Sequence, residues 1–180
     1  MATRRGEIAG LGPAEYIGAS AISGQKHQIP RLKVVAHRKT GQLVKGFAEL
    51  DVPVNAHGIP DVGPIPLPKN LTIHSSINGR GVSVPTDSLK ALYFVKSFEG
   101  DAAYAETKFF NPAPNIEGLW VHVTFSDGES TEGIVSNNIA FVTEAGFLMK
   151  PPDPQSNNHA VYVLKSALTK FRVVGVRAEY

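Results

Sequence analysis

The stretch LWVHVTFSDGESTEGIV, residues 119–135, decides the fold class of this chain. Its first part carries apolar residues at a period of two, an Asp-Gly pair follows at residues 127 and 128, and apolar residues resume after Gly133. Alternation on both sides of an Asp-Gly pair is typical of a β-hairpin. The stretch therefore predicts two antiparallel strands joined by a tight turn.

The same spacing recurs 87 residues earlier in the chain. There, alternating apolar residues begin at Leu32, a turn lies at Gly41, and a second glycine follows at Gly46. In both hairpins the second glycine comes five residues after the first. A further match relates residues 82–89 to residues 161–168 at a smaller offset of 79, because a proline-rich insertion lengthens the first copy. We interpret the chain as two copies of one β unit in the same order.

Each copy shows the pattern of a small β-barrel. Five short strands with glycines at their bends are what closing such a barrel requires, since glycine lets a strand curl without a side-chain clash. We predict an all-β protein of two tandem five-stranded barrels with one or two short helices. The predicted domains are a flexible N-terminal arm at 1–30, a first barrel at 31–98 with a proline-rich loop at 51–70, a linker with a short helix at 99–117, and a second barrel at 118–180.

The composition excludes several classes of function. The chain has no cysteine, which rules out disulfides, zinc-thiolate sites and a cysteine nucleophile, and which fits a reducing, cytoplasmic location. A net charge of +2 is too balanced to indicate nucleic-acid binding by itself. The N-terminal residues lack the uninterrupted apolar segment of an export signal, and no apolar run approaches the length of a membrane span. We therefore expect a globular protein without a membrane partner.

One run of basic residues is a candidate anion-binding surface. No acidic residue lies between Arg31 and Lys45, and Arg4 and Arg5 add charge nearby in the arm. Clustered cations of this kind bind phosphates, although lysines and arginines also occupy ordinary exposed strand positions. The candidate anion- or nucleic-acid-binding residues are Arg31, Lys33, Arg38, Lys39 and Lys45.

Two further features are candidates for binding a protein partner. The PIPLP segment contains Pro64, Pro66 and Pro68 and predicts an extended, polyproline-like stretch that another protein could grip. Trp120 lies on the opposite side of its strand from Val121, and tryptophan is enriched at interfaces. Partly buried packing is the alternative interpretation of this tryptophan.

The sequence contains no signature of catalysis or of metal binding. A GxSxG motif, a phosphate-cradling glycine loop and a helix-borne acid pair are all missing. The six histidines are not spaced for a metal site. Asp153, Asn157 and Asn158 carry calcium-type oxygens, but their DPQSNN stretch is more simply a polar turn. We predict a non-enzymatic protein with no cofactor, no catalytic residue and no metal-binding residue.

Three resemblances to known families extend this interpretation. The VHVTFSDGESTEGIV segment resembles the first conserved motif of Sm-like proteins, whose barrels, like SH3-like barrels, have this strand order, and the resemblance implies RNA binding near the turn. The region from KALYFVKSFEGD through VYVLKSAL looks like an uncharacterised bacterial domain family. The HSSING stretch at 74–79 is similar to the serine-glycine turn of PilZ-type cyclic-dinucleotide receptors, with His74 where those have an acid or amide.

These observations favour a binding or assembly module. We expect association with a protein partner or with further copies of the chain. RNA binding through the basic first hairpin is the alternative, and cyclic-dinucleotide binding is a third hypothesis. The first copy has two features that the second lacks, namely the basic hairpin and the proline-rich loop. We expect any function that the sequence indicates to involve these two features.

Overall fold

The computed structural model describes residues 29–52, 54–55, 60, 65–101, 103–111 and 118–177. Nearly all of the predicted N-terminal arm and residue 64 lie outside these ranges. The described chain forms ten strands and little helix, so the all-β prediction is confirmed. The strands are β1 Arg31–Arg38, β2 Leu43–Glu49, β3 Asn70–Ser75, β4 Gly81–Pro85, β5 Leu89–Val95, β6 Gly118–Phe125, β7 Ser130–Val135, β8 Gly146–Lys150, β9 Asn158–Leu164 and β10 Leu168–Arg177.

All ten strands belong to one antiparallel sheet. Its order is β10-β6-β7-β8-β9-β5-β1-β2-β3-β4, so each half of the chain has the same internal arrangement, with its fifth strand beside its first. The two separate barrels of the prediction are not shown. Instead, β5 pairs directly with β9, and this ladder joins the halves in one open sheet.

The two hairpins share one register. Val34 pairs with Gly46 in the first half, and Val121 pairs with Gly133 in the second. Both turns also have the same backbone form, with Gly41 at φ 85° and its counterpart at φ 86°. A positive φ of this size is accessible to glycine at little cost, which explains why both turns contain one. The spacing read from the sequence therefore corresponds to matching strand pairs and matching turns.

The second glycine of each hairpin lies where a neighbouring strand leaves no room for a side chain. A Cβ atom added to Gly46 would lie 2.2 Å from the carbonyl oxygen of His74 on β3. A Cβ atom added to Gly133 would lie 2.2 Å from Cγ of Met149 on β8. Both glycines therefore allow the second strand of a half to pass close to the third.

Short helical turns join strands four and five in both halves. The turns are the 3₁₀ segments Thr86–Ser88 and Lys165–Ala167. The linker differs from its prediction, because residues 103–108 form no helix. The reason is that the Thr107 N–H and the Tyr104 hydroxyl both donate to the Asp153 carboxylate, which holds this stretch against a loop of the second half. The one α-helix of the described chain, α1, spans Ala140–Thr143 instead.

The sheet buries opposite faces in its two halves. Phe94 of β5 lies opposite Val34, in the core of the first half. Tyr93, which precedes Phe94 on β5, points to the opposite face of the sheet and pairs with Val161 of β9. The strand pairings from β9 back to β6 place Val161 on the same face as the buried Val121. Since side chains alternate along a strand, β5 and β9 mark the line where the buried face changes.

Within the described ranges, no helix is long and apolar enough to cross a membrane.

Candidate interaction surfaces

Three of the five predicted anion-binding residues lie together on one face. Arg31 and Lys33 alternate along β1, and Lys45 lies opposite Val35 on β2, so all three point away from the core of the first half. Arg38 and Lys39 lie apart from them, at the turn that ends β1. The structure therefore divides the basic run into a strand-face group and a turn group.

The strand-face cations contact the chain that follows β5. Lys33 Nζ donates to the Lys96 carbonyl at 3.1 Å, and Lys45 Nζ donates to the Phe98 carbonyl at 3.1 Å. Carbonyl bonds orient these ammonium groups but do not neutralise their charge. In the part of the chain that the structure describes, no ion pair involves them or Arg31. The group therefore combines a structural role with net positive charge.

The turn cations hold the first hairpin in place. The Arg38 guanidinium donates to Gln42 Oε1 at 2.9 Å. Lys39 Nζ donates to Ser166 Oγ at 3.0 Å, which connects the first hairpin to the 3₁₀ turn of the second half. The first contact lies within the hairpin, and the second gives Lys39 a structural role at the junction of the halves.

The proline-rich loop is attached to the core in its described part. Ile65 is buried, and the Pro68 carbonyl accepts a hydrogen bond from the Thr86 hydroxyl at 2.5 Å. Pro66 and Pro68 are exposed, whereas Pro64 lies outside the described residues. The loop therefore presents two of its three candidate prolines to solvent.

Trp120 is partly buried and engaged within the chain. Its indole N–H donates to Glu132 Oε2 at 2.9 Å, and its ring packs edge-on against Phe110 with the centroids 5.9 Å apart. Phe110 in turn uses its backbone N–H to bind the same carboxylate at 3.0 Å. This arrangement matches the packing alternative that the sequence left open.

A buried lysine, which sequence analysis missed, joins the two halves. Lys90 on β5 is 6% exposed, and its Nζ lies 2.5 Å from Asp127 and 2.6 Å from Glu129 in the turn of the second hairpin. Lys108 adds a second cation, 2.8 Å from Glu129. The ammonium of Lys90 also lies 4.4 Å from the centre of the Phe125 ring. The only signal in the sequence is a charged residue inside the apolar run LKALYFV.

The hydrogen bonds of this cluster favour the charged forms of Lys90, Asp127 and Glu129. Burial alone would lower the pKa of Lys90, but the hydrogen bonds to Asp127 and Glu129 outweigh burial and raise it. The hydrogen bond from Lys90 lowers the pKa of Asp127. For Glu129, burial favours a higher pKa, yet the hydrogen bonds from Lys108 and Lys90 lower it. The Asp-Gly turn therefore carries an ion cluster between the halves.

A cleft of about 620 Å³ lies on the outer face of the first half, beside the ion cluster. His37 and Tyr93 line it with their ring centroids 4.4 Å apart. Burial and the charge of Lys90 lower the pKa of His37, so this imidazole is neutral at pH 7. Glu106 also lines the cleft, but its carboxylate accepts hydrogen bonds from Ser156 and Asn158. These polar groups chiefly stabilise the walls of the cleft.

The loop with calcium-type oxygens is bonded internally. Asp153 accepts hydrogen bonds from Tyr104 at 2.7 Å and from the Thr107 N–H at 3.0 Å, and these bonds lower the pKa of its carboxyl. Asn157 binds both backbone groups of Ser97. Among the described residues, no group of three or more histidine, aspartate or glutamate side chains is arranged to hold a metal ion.

The HSSING stretch forms the turn between β3 and β4. Gly79 has φ 67°, and its N–H donates to the Ser75 carbonyl at 3.0 Å. A hairpin turn therefore accounts for this glycine, and the cyclic-dinucleotide hypothesis stays a prediction.

The edge strand β10 exposes an apolar surface. This ten-residue strand forms one edge of the sheet, and Phe171, Val173, Val174 and Val176 are all more than a third exposed. Ile139, which precedes α1, and Val142 within it are 74% and 69% exposed. Phe141, between them in α1, packs against Phe171 with the centroids 5.4 Å apart, which brings the helix beside the edge. Sequence analysis identified the strand but not its edge position.

The comparison with known families covers almost all of this sheet. The model of a family of unknown function, DUF6982, matches residues 30–175. The chain belongs to the DUF6982 family. This result confirms the resemblance to an uncharacterised domain family, whereas the Sm-like and SH3-like identities stay predictions. No curated protein and no solved structure matches the chain. The DUF6982 match spans β1 to β9 and most of β10, so both halves lie within the matched region.

Proposed function

We propose that this DUF6982 protein is a non-catalytic assembly module that associates with other protein chains through the β10 edge of its sheet. Strand addition at a sheet edge is an established mode of protein recognition, in which main-chain hydrogen bonds supply affinity and side chains supply specificity. Further copies of the chain are the partners that the arrangement favours.

One observation carries the proposal, namely the different burial of equivalent residues on β5 and β10. Leu92 and Phe94 of β5 are 0% and 1% exposed. Their counterparts 79 residues later, Phe171 and Val173, are 37% and 49% exposed. The difference arises because β9 covers the free side of β5, while in the described chain no strand covers β10.

The chemistry of β10 fits the addition of a strand. A long edge strand presents unpaired N–H and C=O groups, and natural proteins usually protect such an edge with charges, prolines or bulges. Here Lys170 and Arg172 are the charged residues in the strand before its last position, and four exposed apolar residues accompany them. The apolar residues of α1 widen the same surface.

The strand order also supports a finer interpretation of each half. An order of fifth, first, second, third and fourth strand is that of the small SH3-like and Sm-like barrels. The crowded glycines Gly46 and Gly133 allow the close strand approach that a small barrel needs. We therefore interpret each half as one such barrel, with β5 and β9 as the seam between them.

Charge placed on the β10 edge should abolish the association. We expect the double variant Val174→Lys/Val176→Lys to be monomeric at concentrations at which the wild type forms larger species, because desolvating two ammonium groups opposes pairing. Light scattering after gel filtration, at several protein concentrations, measures this. Leu43→Lys is the matched control, since Leu43 is 48% exposed at the start of β2, an inner strand of the sheet. A wild type that is monomeric throughout would contradict the proposal.

RNA binding is a second candidate, favoured by the strand-face cations. Arg31 lies 4.8 Å from the centre of the Phe47 ring, and Phe47 packs against Phe98 with the centroids 5.3 Å apart. Cations beside aromatic rings suit single-stranded nucleic acid. Affinity for single-stranded RNA that falls steeply with salt, and less steeply in Lys33→Ala/Lys45→Ala, would support this function.

A further inference from the structure

The two outer edges of the sheet correspond to the two strands that pair at its centre. Strand four of each half is followed by a 3₁₀ turn and then by strand five, which makes β4 the counterpart of β9 and β5 the counterpart of β10. At the centre of the sheet, β5, which is strand five of the first half, pairs with β9, which is strand four of the second half. The outer edges are β10, which is strand five of the second half, and β4, which is strand four of the first half. Each has one neighbour in the described sheet.

The correspondence between β5 and β10 extends to individual residue pairs. Phe94 lies opposite Val34 in the first half, and Val173 lies opposite Val121 in the second, at the same offsets as the sequence repeat. Both ladders also shift register at the same place, just after the 3₁₀ turn. The β10–β6 ladder shifts once more, between Val173 and Gly175. Up to Val173, β10 therefore offers a partner the same backbone edge that β5 offers to β9.

The β4 edge lacks the cover that its counterpart has. Val161 of β9 is 5% exposed, because β5 lies beside it. Its counterpart Val82 on β4 is 43% exposed. β10 thus exposes Phe171 and Val173, and β4 exposes Val82, at positions whose counterparts the central ladder buries. By the repeat, each outer edge strand is of the type that pairs with the other at the centre of the sheet.

We propose that β10 of one copy pairs with β4 of a second copy, antiparallel and in the register of the central β5–β9 ladder. This inference rests on the proposed function and names its partner. The central pairs Ala91 with Val163 and Leu92 with Tyr162 fix the register. Shifted by the repeat, the intermolecular pairs are Lys170 with Val84, Phe171 with Ser83, Arg172 with Val82, and Val173 with Gly81. Because two different surfaces meet, the copies join head to tail. A linear assembly of this kind retains one free β10 at one end and one free β4 at the other.

The charges on β10 disfavour a symmetrical pairing of two β10 strands about Phe171. Antiparallel pairing centred on Phe171 would place Lys170 of one copy opposite Arg172 of the other, and like charges directly across a ladder are destabilising. In the head-to-tail register both cations lie opposite valines of β4. The heterologous pairing therefore avoids a repulsion that the symmetrical pairing contains.

Cysteine cross-linking tests the register, because the wild-type chain contains no cysteine. Ser83→Cys and Phe171→Cys are made as separate proteins, mixed, and oxidised mildly before electrophoresis without reductant. We expect a disulfide-linked dimer in the mixture and little in either protein alone, since the proposed pairing brings the two positions within disulfide reach. Ser83→Cys mixed with Val176→Cys is the control, because Val176 lies five residues along the strand, about 17 Å away.

The possible results separate the two proposals. A dimer of Phe171→Cys with itself would overturn the head-to-tail register and leave edge association standing. Assembly without cross-linking in the mixture would also overturn the register. A monomeric wild type without cross-links would overturn both. Val82→Cys with Arg172→Cys, on the opposite face of the same register, repeats the test without removing the Phe171 ring from its aromatic cluster.

Discussion

Gly46→Ala is expected to lower the free energy of unfolding by roughly 3 kcal/mol, at the upper end of the usual cost of overpacking. The new Cβ would lie 2.2 Å from the His74 carbonyl oxygen and 2.8 Å from Ile73 Cγ2. Neither atom can move freely, because Ile73 and His74 belong to the β3 ladder. Urea denaturation followed by circular dichroism measures the change.

Gly175→Ala is the matched control for this substitution. Its new Cβ would meet only Trp120 Cε3, at 3.4 Å, which is an ordinary contact, and Gly175 has no positive φ. We expect its stability to stay within about 0.5 kcal/mol of the wild type. Equal stabilities for the two variants would mean that β2 and β3 do not approach as closely as described.

Asp127→Asn/Glu129→Gln is expected to cost about 3 kcal/mol of stability, because it leaves the buried Lys90 ammonium without a countercharge. Lys90→Met should cost less, about 1 kcal/mol, since the side chains of Asp127 and Glu129 are 54% and 39% exposed and water can solvate them. Urea denaturation at pH 7 compares the variants. A larger loss in Lys90→Met would contradict the assignment of Lys90 as the buried partner.

The pH dependence of stability gives an independent measure of the same cluster. The pKa values of Asp127 and Glu129 are lowered by folding, so their contribution is present above their unfolded values near 4 and is lost as pH falls through the folded values. The raised pKa of Lys90 adds stability below about 10.4 that is lost at higher pH. We expect the double variant to show a shallower loss of stability in acid than the wild type.

Local patterns in the sequence were sufficient for the strands and turns. The Asp-Gly pair at 127 and 128 predicted a hairpin because a turn depends on its own few residues. The short helix expected in the linker at 99–117 does not form at residues 103–108, because Asp153, about fifty residues away, binds that stretch. Pairing between β5 and β9 was also beyond sequence reasoning, since nothing in either strand specifies which distant edge it joins.

The candidate surfaces show the same division between local and distant information. Alternation along β1 correctly separates Arg31 and Lys33 from the core. It gives no indication that a buried lysine, Lys90, would bind the turn of the other half, because a charged residue in a strand is normally assigned to solvent. The exposed apolar edge depends on strand order, which becomes visible only in the assembled sheet.

Amide hydrogen exchange at low and high protein concentration reports whether the β10 and β4 edges of the sheet pair between copies. Exchange reports protection of individual segments, so it distinguishes β4 and β10 from the rest of the sheet. We expect peptides covering residues 81–85 and 168–177 to gain protection together as concentration rises, while the central ladder of β5 and β9 stays equally protected. Protection of both edges that does not change with concentration would contradict the account.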